Sequence, residues 1–109
     1  MNKKQLIKLC LRLPDAIESY PFKDEKDDYA VMRHSTNNKW FGLIFYLNNE
    51  LCLNLKCNPL ESAILRDNHP FITPAWHMNK AHWITVKVNQ AEKDLLKALI
   101  ENSYNLTKS

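Results

Sequence analysis

The sequence predicts an α+β domain of two layers, in which helices cover an antiparallel sheet. Apolar residues recur at helical spacing near both ends of the chain, and strand-like stretches follow one another directly in the middle. Runs of adjacent strands favour antiparallel pairing, with the helices on one side of the sheet. The 109 residues form a single domain, 1–109, that is large enough to bury a core without disulfides or metal.

Composition narrows the classes of function. Apolar residues make up 45% and charged residues 25%, as in ordinary soluble domains. One glycine, Gly42, is too few for a glycine-rich phosphate-binding loop. The net charge of +3 permits a nucleic-acid partner without requiring one. We expect no cofactor, no metal and no membrane partner, and a cytoplasmic location.

The first predicted helix covers residues 2–13 and ends at Pro14. Its apolar face consists of Leu6, Ile7, Leu9, Cys10 and Leu13. Lys4, Lys8 and Arg12 form a stripe on roughly the opposite side, because they are spaced four residues apart. The simplest interpretation of this stripe is a solvated outer face. The alternative is a surface that follows the phosphates of a nucleic acid.

Residues 15–28 are predicted to form a loop, and three strands at 29–34, 39–47 and 50–57 follow it. The loop contains an acidic cluster at 24–28, which would repel phosphate and is therefore excluded from any DNA-facing surface. Apolar and polar residues alternate cleanly in the third strand. Asn48 and Asn49 predict a tight type I′ hairpin before it, because asparagine tolerates positive φ.

The second predicted helix begins sharply. Asn58 is a natural N-cap, Pro59 suits the first helical position, and Glu61 completes a potential capping box. We expect Leu60, Ala63 and Ile64 to face inward and the helix to end within 67–70.

Two strands and a helix complete the chain. Residues 71–75 suit a short edge strand limited by proline, and 82–88 a second strand. The last helix covers 91–106 and is expected to be capped by Asn89. Its predicted apolar stripe is Leu95, Leu96, Leu99, Ile100 and Leu106.

The segment 70–86 has the most unusual composition in the chain. It holds two of the three tryptophans, Trp76 and Trp83, together with His77 and His82. No acid occurs from Asn68 to Ala91, and Lys80 is the only lysine or arginine between Arg66 and Lys87. Such a segment suits either a contact surface or a packed seam. We expect Trp83 to lie in the core and Trp76 to be the more exposed of the two.

Several motifs together resemble the MmcQ/YjbR family of small bacterial proteins. They are Leu13-Pro14, Tyr20-Pro21-Phe22, Lys56-Cys57-Asn58-Pro59, the stretch from Pro74 to Val86, and Ser103-Tyr104. The most specific part is His77-Met78-Asn79-Lys80 followed by His82-Trp83. The resemblance spans nearly the whole chain.

This resemblance implies an α-β3-α-β2-α fold similar to secretion-chaperone-like domains, with no enzymatic activity and no cofactor. Members are generally labelled DNA-binding, through the likeness of their paired β-wings to a phage transcription-factor domain. The present chain departs from the usual pattern at three positions. Ala75 and Trp76 stand where Gly and Tyr are usual, and Ala81 where a basic residue is common, so a partner contact at that position is in doubt here.

Two alternatives involve Cys57. One is a metal site shared with His77 and His82, and the other is a catalytic Cys–His pair. His77 and His82 lie five residues apart, which is wider than the ligand pairs of most zinc sites. A Cys57–His77 nucleophile pair would need a lowered thiol pKa, which the following helix N-terminus could supply. A buried inert thiol is the simpler interpretation, because Cys57 continues the leucine face of its strand. We expect Cys10, Cys52 and Cys57 to be reduced.

The leading hypothesis is a cytosolic, non-enzymatic binding protein that contacts double-stranded DNA through phosphates. The candidate residues are Lys56, Asn79, Lys80, His82 and Lys87 on the sheet side, with Lys4, Lys8 and Arg12 as a second group. The first alternative is a protein-interaction module that binds a peptide on an exposed sheet face. The second is an enzyme with a small-molecule site near Cys57 and His77. Asn79-Lys80 suits a phosphate contact and ordinary turn chemistry equally well.

Overall fold

The structure, a computed structural model, describes residues 1–22 and 29–109, so the whole acidic cluster at 24–28 lies outside the described residues. It confirms the α+β class, with one antiparallel sheet of strand order β1-β2-β3-β4-β6-β5. The elements in chain order are α1 (Lys3–Leu11), β1 (Ala16–Ser19), β2 (Ala30–His34), β3 (Trp40–Leu47), β4 (Glu50–Lys56), α2 (Pro59–Asn68), β5 (Ile72–Pro74), β6 (Trp83–Lys87), a short 3-10 helix (Val88–Gln90) and α3 (Lys93–Thr107). No helix of the described chain combines the length and apolar character needed to cross a bilayer.

The strand β1 is absent from the sequence prediction, which assigned its residues to a loop. Its four residues do not alternate between buried and exposed positions, so they give no strand periodicity. Pairing with β2 forms the strand: Ala16 lies opposite His34 and Ser19 opposite Val31. The sheet therefore has six strands, and the order is α-β4-α-β2-α instead of the α-β3-α-β2-α that the resemblance implies.

The turn chemistry of the β3–β4 hairpin is as predicted. Asn48 and Asn49 both have positive φ, of 51° and 65°, which a type I′ turn requires. Between β2 and β3 the register shifts, because Met32 pairs with Gly42 while Arg33 pairs with Trp40. Phe41 is therefore the extra residue of a β-bulge. The bulge lets Phe41 enter the core beneath the helices while Trp40 lies on the other face with Arg33.

Both faces of the sheet are covered. The larger apolar cluster lies beneath the helices and includes Leu6 and Cys10 of α1 with Leu96 and Ile100 of α3. The smaller cluster consists of Val31, Leu43, Phe45 and Cys52, with Trp76 and Met78 packed against it. We call the surface that carries this smaller cluster the helix-free face. Burial on both sides accounts for the nearly continuous apolar sequence of β3.

The predicted inward face of α2 is wrong at two of its three residues, and only Ala63 is partly buried. Leu60 and Ile64 are 72% and 53% exposed, whereas Ser62 is buried and Leu65 packs against the core. The helix lies against the edge strand β5, at the border of the sheet, so only a narrow stripe of it is covered. Asn58 does cap the helix, but its side chain accepts from the backbone N–H of Leu60, the second helical residue. The predicted capping box with Glu61 therefore does not form.

Two expectations for α3 are also wrong. The helix begins at Lys93 with Glu92 at the N-cap, and the amide of Asn89 instead bonds the backbone of Met1. Leu106 is 45% exposed, while Ser103, Tyr104 and Thr107 take the inward positions. Polar groups replace leucine there because each finds a hydrogen-bond partner in the interior.

Ser103 and Tyr104 tie α3 to the rest of the fold. The Ser103 hydroxyl donates to the Phe41 carbonyl at 2.6 Å and accepts from the Lys56 N–H at 2.8 Å. These backbone groups lie just beyond the last β3–β4 pair, Gly42 and Leu55. The Tyr104 hydroxyl donates to the Pro14 carbonyl at 2.7 Å. Two of the motifs that carry the family resemblance, at 13–14 and 103–104, are thus structural and meet in space.

His34 gives stability a pH dependence. It is 1% exposed, its Nε2 lies 2.8 Å from Thr107 Oγ1, and its ring is 4.6 Å from that of Tyr104. Burial lowers the pKa of His34 below its ordinary value, and Lys108 and Lys39 add to this shift against a hydrogen bond to the Tyr104 backbone. As pH falls, His34 is protonated at a higher pH in the unfolded chain than in the folded one. The contribution of neutral His34 to stability is therefore fully present above about pH 6.5 and declines below it.

Denaturant unfolding between neutral pH and pH 5 measures this decline. We expect His82→Gln, at an exposed histidine, to keep the wild-type dependence, and His34→Gln to lose most of it. A wild-type free energy of unfolding that stays constant over this range would contradict the assignment.

Candidate functional site

Residues 75–82 fold across the helix-free face and form a candidate site there. The Trp76 ring stacks on Phe45 with a centroid separation of 5.0 Å and an angle of 21°. It also lies 6.4 Å from the ring of Tyr29. Trp76 and Trp83 are both half-buried, so the expectation that Trp83 lies in the core is wrong. Trp76 is held because it completes the smaller apolar cluster.

A closed set of hydrogen bonds fixes the backbone of Trp76. Its N–H donates to Thr85 Oγ1 at 2.9 Å, and its carbonyl accepts from Asn54 Nδ2 at 2.8 Å. The Thr85 hydroxyl donates to Asn54 Oδ1 at 2.5 Å. Asn54 and Thr85 are buried, face each other across β4 and β6, and are fully partnered. We call these three residues the Trp76 clamp. Strand alternation predicts the face of Asn54 but not its partners.

Lys80 lies at the tip of a turn that follows Trp76. Asn79 Oδ1 accepts from the Ala81 N–H at 2.9 Å, and the Asn79 carbonyl accepts from the N–H groups of His82 and Trp83. The side-chain oxygen of Asn79 is thus engaged in turn chemistry, one of the two interpretations left open by the sequence. Lys80 is exposed.

Beside Trp76 lies an aromatic cavity of about 520 Å³, which sequence reasoning missed. Its lining residues are Phe22, Tyr29, Trp40, Leu43, Trp76, His77, Met78 and Asn79. Phe22 meets Tyr29 and Trp40 edge to face, with centroids 5.8 Å and 5.9 Å apart. The Arg33 guanidinium lies 5.4 Å from the centroid of Trp40. Phe22, Tyr29 and Trp40 come from three separate segments, and the sequence signals for them were aromatic enrichment and, for Phe22, the Tyr20-Pro21-Phe22 motif.

The aromatic cavity suits a planar, weakly polar group. Its volume falls within the usual range of small-ligand sites, about 300–1,000 Å³. Aromatic rings bind planar groups by offset stacking and edge-to-face contact. Within the described residues its lining contains no carboxylate, and His77 and Asn79 supply its polar edge. Chemically, the described lining can hold a flat ring.

The remaining predicted residues fall into two layers. Lys56 pairs with Trp83 across β4 and β6, and the His82 carbonyl accepts from the Cys57 N–H, so these residues adjoin the Lys80 turn. Lys87 pairs with Cys52, ~13 Å further along the strands. Its Nζ lies 4.0 Å from a Glu50 carboxylate oxygen. Lys4 and Lys8 lie on α1 and Arg12 is its C-cap, and this helix packs on the opposite side of the sheet.

The structure does not bring Cys57 and His77 together. Cys57 belongs to the cluster beneath the helices, whereas His77 lines the aromatic cavity on the helix-free face. Burial raises the pKa of Cys57, and the Glu61 charge raises it further, so the expectation that the helix N-terminus lowers it is wrong. All three cysteines are free and buried, and burial raises the pKa of Cys10 to about 12. No three metal-ligand side chains converge among residues 1–22 and 29–109.

Comparisons with known proteins agree on one family. The model of the YjbR family matches residues 11–106. The uncharacterised protein YyaQ of Bacillus subtilis is 38% identical over 82% of this chain and 83% of its own length. The uncharacterised protein YbdF of Escherichia coli O157:H7 is 36% identical over 91% and 78%.

Two solved structures resemble this chain over most of its length. A Pseudomonas syringae protein has a TM-score of 0.86 at 36% identity, over 98% of this chain and 99% of its own. The Deinococcus radiodurans protein DR2400 has a TM-score of 0.81 at 32% identity, over 94% and 75%.

Proposed function

This chain belongs to the YjbR family, and we propose that it is a non-enzymatic protein that binds single-stranded nucleic acid by holding an unpaired base in the aromatic cavity. The observation that supports this most is the cavity itself, with four aromatic rings on the helix-free face and an exposed lysine on the adjoining turn. Stacking on aromatic side chains is the main sequence-independent contact of single-strand binders.

The distribution of charge supports a backbone contact beside the base. Asn79 lines the cavity, and Lys80 follows it directly at the exposed tip of the turn. Lys56 and Arg33 lie on the same helix-free face of the sheet. Lys56 is opposite Trp83 on β6, and the Arg33 guanidinium lies over the ring of Trp40, which lines the cavity. These cations are positioned to neutralise phosphates on either side of a bound base.

An unpaired strand fits this arrangement better than the duplex expected from the sequence. In a duplex the bases are stacked on each other, and a cavity can receive one only after it is extruded. The two groups of predicted cations also lie on opposite sides of the sheet, with Lys4, Lys8 and Arg12 on α1. One straight duplex therefore cannot contact both groups at once.

A protein-interaction role is the second candidate. Ile17 is 40% exposed on β1, an edge strand, and pairs with Arg33 beside Trp40. An extended peptide added to this edge could place an aromatic side chain in the same cavity. Competition between an oligonucleotide and an aromatic peptide would then reveal a shared site.

Binding of a short fluorescein-labelled oligothymidine, followed by anisotropy, tests the main proposal. We expect it to bind more tightly than a duplex of equal length, because its bases are free to stack. Phe22→Ala should cost ~1–3 kcal/mol, the usual value of one stacked base. Phe22 is 39% exposed, so its loss should leave the fold intact.

Charge removal at two lysines provides the matched comparison. Lys80→Ala should lower the slope of log K against log salt by about 0.7, the value for one phosphate on a single strand. Lys4→Ala removes the same charge from α1 and should leave binding unchanged. Equal losses for the two variants, or a preference for the duplex, would contradict the proposal.

A further inference from the structure

A second surface lies in the helical layer, on the other side of the sheet from the aromatic cavity. A groove of about 630 Å³ is lined by residues of α1, the 3-10 helix and the start of α3. A second groove of about 250 Å³ shares Leu9 and Arg12 with the first and extends towards Ile100. We call the two together the helix trough.

The trough has a basic rim and an apolar floor. Arg12, the C-cap of α1, follows Lys8 by one turn, and Lys93 and Lys97 are one turn apart on α3. The floor is formed by the half-buried Leu9, above the buried Val88 and Leu96. Among the described lining residues the larger groove contains no Asp or Glu, and the smaller contains only Glu101.

The start of α3 carries charges of both signs. The first residue of α3, Lys93, lines the larger groove, so the positive end of the helix dipole lies beside it. The carboxylates of Glu92 at the N-cap and Asp94 in the first turn offset this dipole. The preference for an anionic partner therefore rests on the four lysine and arginine side chains of the rim.

We propose that the helix trough docks an acidic amphipathic segment of a partner protein. The apolar floor receives leucine-like anchors spaced along one side of the segment, as in helix-in-groove recognition. The basic rim pairs with the Asp and Glu side chains that flank those anchors. A nucleic-acid backbone could pair with the rim, but it has no apolar side chains for the floor. The floor therefore favours a protein segment.

A designed peptide provides the probe. It carries Leu at positions i, i+3, i+4 and i+7, Glu at the other positions and a fluorescein label. The control peptide has Lys in place of each Glu. We expect saturable binding of the Glu peptide to the full chain, with shifts in the methyl signals of Leu9 and Leu96, and no binding of the Lys peptide.

Charge reversal on the rim completes the test. Lys93→Glu should weaken binding of the Glu peptide about tenfold, or ~1.4 kcal/mol. The fold should tolerate this change, since an acid suits the first turn of a helix. Lys8→Glu should have a similar effect on the opposite rim. Lys4→Glu, on α1 outside both grooves, should change affinity less than threefold by the same scale, ~0.6 kcal/mol.

Three results would overturn the proposal. They are no saturable binding of the Glu peptide, equal binding of the Lys peptide, and equal effects of Lys93→Glu and Lys4→Glu. Loss of oligothymidine binding in Lys93→Glu, with the Glu peptide unaffected, would assign the trough to nucleic acid instead.

Discussion

Replacing Ser103 by alanine should lower the free energy of unfolding by about 2–4 kcal/mol, a large effect for the loss of one oxygen atom. The Ser103 hydroxyl is fully buried and bridges the Phe41 carbonyl and the Lys56 N–H where the β3–β4 ladder ends. Without it, two backbone groups lose their partner, and each unsatisfied buried group costs ~1–3 kcal/mol.

Chemical denaturation of Ser103→Ala and of Ser35→Ala would measure this effect. Ser35 is exposed, so its replacement should change the free energy of unfolding by less than about 0.5 kcal/mol. A loss of that small size in Ser103→Ala would show that water or a shift of α3 replaces the bridge.

Replacing Thr85 by valine should release Trp76 from the helix-free face. Valine keeps the shape of threonine but removes the hydroxyl that accepts from the Trp76 N–H and donates to Asn54. We expect the free energy of unfolding to fall by ~1–3 kcal/mol, because Asn54 is fully buried and loses a donor. Trp76 should become more mobile and its fluorescence emission should shift to the red.

The same variant connects the Trp76 clamp to binding. Under our proposal, oligothymidine affinity should fall about tenfold, or ~1.4 kcal/mol, because the cavity wall is no longer fixed. Thr73→Val is the matched control, since Thr73 is the exposed register partner of Thr85 on β5. Unchanged affinity and emission in Thr85→Val would mean that packing on Phe45 alone holds Trp76.

Local signals in the sequence predicted the fold well. The Asn48-Asn49 turn, the Asn58 cap, the alternation in β4 and the edge strand at β5 each depend on neighbouring residues, and the structure confirms them. The strand β1 was missed because it exists only through pairing with β2.

The inward face of α3 was partly missed for a related reason. Hydropathy favoured Leu106, but the buried positions are filled by Ser103 and Thr107, whose hydroxyls find partners in β3 and in the helix. Patterns of apolar residues do not reveal such satisfied polar groups.

The candidate site could be predicted only in part. The segment around Trp76 was identified from its composition. Of the predicted cations, Lys80 lies on the turn within this segment and Lys56 lies opposite Trp83. The other walls of the aromatic cavity, Phe22, Tyr29 and Trp40, come from distant parts of the chain. Only the sheet order and the bulge at Phe41 bring them to one face.

The three tryptophans provide the most direct test of base binding in the aromatic cavity. Trp40 and Trp76 line the cavity, whereas Trp83 lies outside its lining. In a nitrogen-labelled sample, titration with oligothymidine should shift the indole N–H signals of Trp40 and Trp76 strongly and that of Trp83 weakly. Saturable binding with no shift at Trp40 and Trp76, or with shifts confined to residues of α1 and α3, would contradict the account.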